Sequence, residues 1–310
     1  MLAVDGPRDV RRSRPPRRME SERMTHTLGM IVGSAYSGST LLTALLDRHP
    51  DIAALGEAQK VYRLANEPAS VCWDCKTPAA DCSLWSRWDR EQPFYQFAAA
   101  HTAAEVLLDS TKDPSLMLEQ WHKANRYPAN PVALFISKTP LEQIGSYQSH
   151  HAWRLPAGIS EAWTPEQCVA EWLCLNYWFF GCLMQNRIPI EFVTYADLTK
   201  NTDDVVDRIL TRLGVDPSAT GPGEPSHVIA GNPAVIGSVT GDVVGFGHLG
   251  RDKYLDGKYA DQPGGLGVVY DSSWEEMPTE FLERSYAELD RRSAEVTPLL
   301  SLLGHTKPEA

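Results

Sequence analysis

The chain has 310 residues and a net charge of −11, and 43% of its residues are hydrophobic. This length allows one large domain or two small ones with a sizeable core. The negative charge argues against general nucleic-acid binding. The sequence shows neither a signal-peptide pattern nor an apolar run of 18 residues, so we expect no membrane span and a cytoplasmic location.

The N-terminal residues differ in composition from the rest of the chain. Residues 1–26 contain seven Arg, four acidic residues and the pair Pro15-Pro16, without apolar periodicity. Such a segment cannot bury enough apolar surface to fold alone. We therefore expect a disordered tail over 1–26 and a single domain over 27–310.

A strand predicted at 27–32 leads into a glycine loop and then into a helix predicted at 41–46. The loop reads Gly33-Ser-Ala-Tyr-Ser-Gly-Ser-Thr40, and its two glycines have the spacing of a Walker A loop. Ser39 occupies the position of the Walker lysine. A strand, a glycine loop and a helix N-terminus present backbone N–H groups to an anion. We predict a phosphate site without the cation that reaches the β- and γ-phosphates of ATP.

The stretch at 66–93 is rich in Cys and Trp and permits two interpretations. Cys72 and Cys75 form a C-x2-C pair, Cys82 follows, and the histidine nearest to them in sequence is His101. Only three cysteines cluster, and Cys is often simply buried. We therefore favour packing in a compact lid over a metal site and predict no metal, with the zinc interpretation left open.

Two further strands are each followed by a lysine. A strand at 106–108 precedes Lys112, with Asp113 and Pro114 as helix cap and first helical residue. A strand at 132–136 precedes Lys138. Open parallel sheets bind ligands at the carboxyl ends of their strands, so both lysines are candidate anion ligands. An ion pair with a neighbouring aspartate is the alternative for Lys112.

The remaining pattern alternates strands with helices, which indicates an α/β fold with a central parallel sheet flanked by helices. We predict a binding loop at 147–163, a long aromatic helix at 165–187 and a strand at 190–195. A helix at 203–213 is closed by Gly214, and the Gly/Pro-rich segment at 216–270 is either mobile or surface coil. The last predicted element is a helix at 278–303 that is broken at Pro298.

Several motifs in chain order resemble the sulfotransferases that use 3′-phosphoadenosine 5′-phosphosulfate (PAPS), in particular the tyrosylprotein-type and related bacterial members. Residues 72–85 loosely resemble a cysteine-containing lid of the bacterial members. The other motifs are Ser37-Gly-Ser-Thr-Leu-Leu42, Leu46-Asp-Arg-His-Pro50 with Gly56-Glu57, Thr111-Lys-Asp-Pro114, Lys138-Thr-Pro140 with Ser146, Tyr195-Ala-Asp-Leu198, and His227 with Gly231-Asn232.

The resemblance implies roles for particular residues. Glu57 would act as the general base on the acceptor hydroxyl, and Lys112 would stabilise the transferring sulfuryl group. Without the resemblance, a solvated loop carboxylate is the simpler interpretation of Glu57. The implied PAPS-binding residues are Ser37, Gly38, Ser39, Thr40 and Leu41 at the 5′-phosphosulfate, Lys138 and Ser146 at the 3′-phosphate, and Tyr195 of the Tyr-Ala-Asp-Leu motif.

Two positions depart from the family pattern. Tyr36 replaces the basic residue that usually precedes Ser-Gly, and Lys138 replaces an arginine. Lysine neutralises a phosphate as a point charge but cannot bind it bidentately. We include Tyr36 among the catalytic candidates because its hydroxyl could donate to the bridging oxygen. The alternatives are that Lys112 takes this role alone or that the site is catalytically weakened.

The resemblance implies sulfuryl transfer from PAPS to a hydroxyl of a small molecule, sugar or natural product, without a metal and without nucleic acid. A PAPS-binding protein without transfer activity and a tyrosyl-peptide sulfotransferase are the alternatives, and a homodimer is left open. A small-molecule P-loop kinase is disfavoured because the Walker lysine is absent.

Overall fold

A computed structural model describes residues 26–64, 72, 75, 77–89, 91–125, 130–150, 163–221, 226–229, 270 and 272–305. The predicted tail up to residue 25, residues 151–162 of the predicted binding loop, and most of the Gly/Pro-rich segment lie outside the described residues.

The described part of the chain folds around one five-stranded sheet in which every neighbouring pair of strands is parallel. The sheet order is β2-β3-β1-β4-β5, so β1 lies at the centre. Its strands are mainly runs of apolar residues buried on both faces, as parallel sheets require. Their bounds are β1 Thr27–Val32, β2 Ile52–Gly56, β3 Val106–Asp109, β4 Asn130–Ser137 and β5 Ile190–Thr194.

Helices connect the strands and cover both faces of the sheet. Short 3₁₀ turns lie at Ala79–Asp81, Trp85–Arg87 and Ser273–Glu276. The α-helices are α1 Ser39–Leu46, α2 Gln59–Leu64, α3 Phe94–Ala100, α4 Pro114–Lys123, α5 Pro140–His150, α6 Pro165–Gln185, α7 Tyr195–Lys200, α8 Thr202–Leu213, α9 Thr279–Arg291 and α10 Ser293–Leu303.

The two faces of the sheet bury separate hydrophobic clusters. Leu28, Met30 and Val32 of β1 contribute to the larger cluster, which contains residues of α3, α4, α6, α9 and α10. Ile31 contributes to the other cluster, beneath α1 and α8. This alternation along β1 follows from the two-residue period of a strand. The predicted fold class, a parallel α/β sheet flanked by helices, is confirmed.

Three boundaries differ from the sequence-based expectation. The segment before Glu57 is strand β2 at the sheet edge, because Ile52–Gly56 finds a parallel partner in β3. Helix α5 extends to His150, into the region predicted as loop. The C-terminal helix breaks at Arg292 and not at Pro298, which lies inside α10. The buried face of α10, with Leu299 and Leu303, compensates for the hydrogen bond that proline cannot make.

Among the described residues, none of the helices combines the length and the apolar character that crossing a bilayer would require.

Candidate functional site

The candidate site lies at the carboxyl edge of the sheet. Strands β3, β1 and β4 are neighbours, and the loops that follow them start side by side at residues 110, 33 and 138. This is the edge where open parallel sheets bind their ligands. The three loops carry most of the residues singled out in the sequence.

The glycine loop after β1 ends in the first turn of α1, where Thr40 and Leu41 are buried. Gly38 caps this helix with φ of 97°, and a Cβ there would lie 2.6 Å from the ring of Tyr195, so only glycine fits. The hydroxyl of Ser37 is buried and has no hydrogen-bond partner among the residues that the structure describes. Buried polar atoms normally have partners, so this hydroxyl is consistent with a ligand in the loop.

Gln143 of α5 supports the glycine loop and was missed in the sequence. Its Oε1 accepts a hydrogen bond from the hydroxyl of Ser34 at 3.1 Å, and its Nε2 donates to the carbonyl of Ala35. The Gln143 side chain is fully buried. Nothing in the local sequence distinguishes this glutamine, because its partners lie more than 100 residues earlier.

Lys112 reaches from the loop after β3 to the glycine loop. Its Nζ donates a hydrogen bond to the hydroxyl of Ser39, the residue at the Walker-lysine position. Burial lowers the pKa of Lys112 below its usual value, while the negative charges of Glu57 and Asp109 oppose the shift. A cation from a neighbouring strand therefore lies where the glycine loop lacks one of its own.

The two aspartates offered as alternative ion-pair partners of Lys112 have structural roles. Asp109 accepts hydrogen bonds from the hydroxyl of Tyr95 at 2.5 Å and from the N–H of Thr111 at 2.7 Å. Asp113 caps α4 by accepting from the N–H of Leu116 at 3.1 Å. The amine of Lys112 is directed instead towards the glycine loop.

Glu57 directly follows β2 and is half-buried. Its N–H donates to the carbonyl of Ile229 at 2.7 Å, and the N–H of Ile229 donates to the carbonyl of Leu55 at 3.0 Å. A Cβ on Gly56 would lie 2.4 Å from the Ile229 carbonyl oxygen, which explains the glycine. Glu57 is thus fixed by a distant segment, residues 226–229, and its charge acts on Lys112.

Lys138, Ser146 and Tyr195 form a second basic pocket beside the glycine loop. The Nζ of Lys138 donates to the hydroxyl of Ser146 at 3.0 Å and lies 4.3 Å from the centroid of the Tyr195 ring. Lys138 and Ser146 are each only 5% exposed. The Tyr195 ring also packs against Gly38, so it joins this pocket to the glycine loop.

Tyr36 lies in the glycine loop in a left-handed conformation with φ of 68°. This conformation is uncommon for a bulky residue and is held by its surroundings. Its ring is half-buried and packs against the larger hydrophobic cluster. The structure gives Tyr36 a packing contact, and its catalytic role stays a prediction.

The three cysteines of the 66–93 stretch meet a histidine that is distant in sequence. The Nδ1 of His227 lies 3.6, 3.4 and 3.4 Å from the Sγ atoms of Cys72, Cys75 and Cys82. Hydrogen bonds from Cys72 and His227 lower the pKa of the Cys82 thiol, and the bond to Cys82 raises the pKa of His227 to about 9. These four side chains could hold a metal ion.

His101, the histidine that seemed nearest in sequence, is not part of this cluster. Its Nδ1 donates to the carbonyl of Phe97 at 2.8 Å, one helical turn earlier in α3. Sequence proximity pointed to the wrong histidine because the fold brings residues 226–229 back to the end of β2.

Comparison with known proteins returns one curated relative and several solved structures. No protein-family model matches the chain. Nodulation protein NoeE from Sinorhizobium fredii (strain NBRC 101917 / NGR234) is 27% identical over 219 residues, covering 61% of this chain and 50% of NoeE. The chain spans about half the length of this curated relative.

Several of the solved structures found are sulfotransferases. The sulfotransferase domain from the curacin biosynthetic pathway is 16% identical and covers 91% of this chain and 99% of that domain, with a TM-score of 0.48. The domain from the Synechococcus PCC 7002 olefin synthase is 17% identical, covers 84% and 94%, and has a TM-score of 0.45. Mouse sulfotransferase SULT7A1, solved with PAP, is 11% identical, covers 90% and 88%, and has a TM-score of 0.41. The chain is similar to these sulfotransferases, and its function is argued from the site.

Proposed function

We propose that this chain is a sulfotransferase that moves a sulfuryl group from PAPS to an acceptor hydroxyl. The observation that carries the proposal is a pair of lysine–serine contacts on either side of β1. Lys112 contacts Ser39 on one side, and Lys138 contacts Ser146 on the other. Two separate cationic sites that flank one glycine loop suit a nucleotide with phosphate groups at two positions of its ribose.

In this proposal, the glycine loop and the Lys138–Ser146 pair bind different phosphate groups of PAPS. The backbone N–H groups at the start of α1, with the hydroxyls of Ser37, Ser39 and Thr40, would hold the 5′-phosphate. Lys138 and Ser146 would hold the 3′-phosphate, and the Tyr195 ring would keep the Lys138 amine in place. PAPS supplies the activated sulfuryl group.

Glu57 and Lys112 carry the chemical roles in this proposal. Glu57 would take the proton from the acceptor hydroxyl as that oxygen attacks. Lys112 would stabilise the negative charge on the sulfuryl oxygens and the departing phosphate, since its amine is aimed at the glycine loop. The charge of Glu57 opposes the fall in the pKa of Lys112, which supports placing both groups at one reacting centre.

A binding protein without transfer activity is the second candidate, and Tyr36 is the observation that favours it. The loop lacks the basic residue expected before Ser37, and the Tyr36 ring packs against the core. In the transferase proposal, Lys112 replaces that missing charge alone. A small-molecule or carbohydrate acceptor, a homodimer and a cytoplasmic location stay predictions.

A single-turnover assay with ³⁵S-labelled PAPS and a panel of sugar, phenol and tyrosyl-peptide acceptors tests this function. We expect transfer to at least one acceptor class. Glu57→Gln should abolish that transfer, because the amide cannot accept the proton. Binding of the desulfated nucleotide, adenosine 3′,5′-bisphosphate (PAP), should stay intact. Binding of PAP without transfer to any acceptor would favour the second candidate, and a fully active Glu57→Gln variant would refute the mechanism.

A further inference from the structure

The cluster formed by Cys72, Cys75, Cys82 and His227 is not used by the proposed reaction. All four potential ligand atoms lie within 4.8 Å of one another. The Sγ atoms of Cys75 and Cys82 are 3.6 Å apart, and each cysteine of the cluster is a free thiol. The feature to explain is therefore the convergence of three thiols and an imidazole on one point.

The spacing of these atoms matches a tetrahedral zinc site. Zn–S bonds of about 2.3 Å and a Zn–N bond of about 2.0 Å place a sulfur and a nitrogen about 3.5 Å apart, and two sulfurs about 3.8 Å apart. The three S···N distances are 3.4 to 3.6 Å, and the Cys75–Cys82 distance is 3.6 Å. Thiolate and imidazole ligands select zinc over magnesium or calcium.

The surrounding contacts hold the ligands in this arrangement. The N–H of Cys75 points at the Sγ of Cys72 at 3.5 Å, and the indole N–H of Trp85 donates to the carbonyl of His227 at 2.7 Å. His227 has a left-handed backbone with φ of 52°. A backbone conformation of this kind persists only where the surroundings fix it. Cys72 and Cys82 are fully buried, so the cluster is closed to solvent on that side.

We propose that Cys72, Cys75, Cys82 and His227 bind one Zn²⁺ ion in a structural site. Four protein ligands complete the tetrahedron and leave no open position, which distinguishes a structural zinc from a catalytic one. This proposal reverses the sequence-based expectation of packing without a metal. It does not depend on the proposed sulfotransferase activity.

The zinc site would anchor the segment that fixes Glu57. Ile229 forms β-bridges with both Gly56 and Cys72, and its carbonyl accepts the N–H of Glu57 at 2.7 Å. His227 is two residues before Ile229. A metal joining His227 to the cysteines would therefore hold residues 226–229 against the end of β2. Losing the metal would release this segment from the side of Glu57.

Metal analysis of the purified full-length chain tests the proposal. We expect about one zinc per chain by elemental analysis, and X-ray absorption with three sulfur ligands and one nitrogen ligand. Titration of metal-depleted chain with Co²⁺ alone should give the thiolate charge-transfer and tetrahedral d–d bands. A chain with neither zinc nor a tetrahedral Co²⁺ spectrum, or a disulfide between Cys75 and Cys82 in the freshly purified chain, would overturn it.

Variants separate ligands from packing residues. Cys82→Ser and His227→Ala should each lower zinc content at least tenfold, whereas His227→Cys should retain zinc with four sulfur ligands. Cys174→Ser is the matched control, because Cys174 is exposed on α6 and away from the cluster. Equal zinc content in His227→Ala and Cys174→Ser would contradict the ligand assignment. A chelator should lower the melting temperature of the wild-type chain, and an unchanged melting temperature would contradict the structural role.

Discussion

Each of the two lysines in the candidate site has a serine hydroxyl as hydrogen-bond partner. Ser39 and Ser146 are neutral, so they do not neutralise the amines of Lys112 and Lys138. Lys112 is partly compensated by Glu57 and Asp109, and Lys138 by the face of the Tyr195 ring. Both amines lie beside the glycine loop, where a positive charge favours the binding of an anion.

Replacing Lys112 by methionine removes the cation aimed at the glycine loop. In Lys112→Met we expect turnover in the sulfuryl-transfer assay to fall by about 10² to 10³, as for other groups that stabilise transition-state charge. The PAP dissociation constant should rise by a smaller factor, because the backbone N–H groups of the glycine loop also bind the 5′-phosphate. Lys123→Met is the control, since Lys123 is an exposed surface residue of α4 paired with Glu119. Equal turnover in the two variants would show that Lys112 has no such role.

The lysines could be found in the sequence because each follows an apolar strand, and parallel strands end at a common edge. Ser146 followed from its offset to Lys138. Gln143 contacts residues that lie at least 108 positions earlier in the chain. His227 contacts cysteines that lie at least 145 positions earlier. No local pattern marks such residues, because their roles arise only when the chain has folded.

The glycine loop and α5 form one structural unit. Gln143 joins them through the Ser34 hydroxyl and the Ala35 carbonyl. The same helix carries Ser146, the hydrogen-bond partner of Lys138. The position of α5 therefore sets both the shape of the glycine loop and the geometry of the second basic pocket.

Replacing Gln143 by methionine leaves the buried Ser34 hydroxyl and Ala35 carbonyl without their partner. We expect Gln143→Met to lower the free energy of unfolding by about 2 kcal/mol, the usual cost of unsatisfied buried polar groups. Urea denaturation of the full chain measures this. Gln185→Met, at the exposed end of α6, should change stability by less than about 0.5 kcal/mol. Equal losses of stability in the two variants would argue against a structural role of Gln143 in the glycine loop.

The bounds of helices were predicted correctly where the apolar periodicity agreed with the residues that begin or end a helix. Asp113 and Pro114 marked the start of α4, and Gly214 closes α8 in a left-handed conformation. The prediction failed at Pro298, where a local breaker signal was overridden by burial of the helix face. The edge strand β2 was described only as an extended segment, since its pairing with β3 is a long-range contact.

The C-terminal end of the described chain lies beside the carboxyl end of β4. His305, after α10, contacts the hydroxyl of Ser137 at the end of β4 through its Nε2 at 2.8 Å. Burial lowers the pKa of His305 to about 4, and the nearby charge of Glu142 opposes the shift only in part. A half-buried imidazole that is neutral at pH 7 therefore lies beside Ser137, the residue before Lys138 in the chain.

This imidazole makes stability depend on pH. In the unfolded chain His305 binds a proton near its ordinary pKa of about 6.5, whereas the folded chain does so only near pH 4. The contribution of His305 to the free energy of unfolding is therefore complete above pH 6.5. It is lost as the pH falls towards 4, which lowers the free energy of unfolding by up to about 3 kcal/mol. The negative charge of Glu142 favours the protonated form of His305 and so makes this loss of stability smaller.

Urea denaturation across this pH range tests the contribution of His305. His305→Gln cannot titrate, so we expect its stability to fall less than that of the wild-type chain between pH 6.5 and pH 4. His122→Gln is the control, because His122 is exposed on α4 and contacts Asn186. Parallel pH curves for the wild-type and His305→Gln chains would contradict the prediction.

The central claim is that two lysine–serine pairs read a nucleotide with both a 5′- and a 3′-phosphate, and calorimetric titration tests it most directly. PAP and AMP differ only by the 3′-phosphate. The wild-type chain should bind PAP at least about tenfold more tightly than AMP, the value of one charge-assisted hydrogen bond, and ATP with magnesium no more tightly than AMP. Lys138→Ala should abolish the preference for PAP. Equal binding of PAP and AMP by the wild-type chain, a preference that survives in Lys138→Ala, or tighter binding of ATP with magnesium would contradict the account.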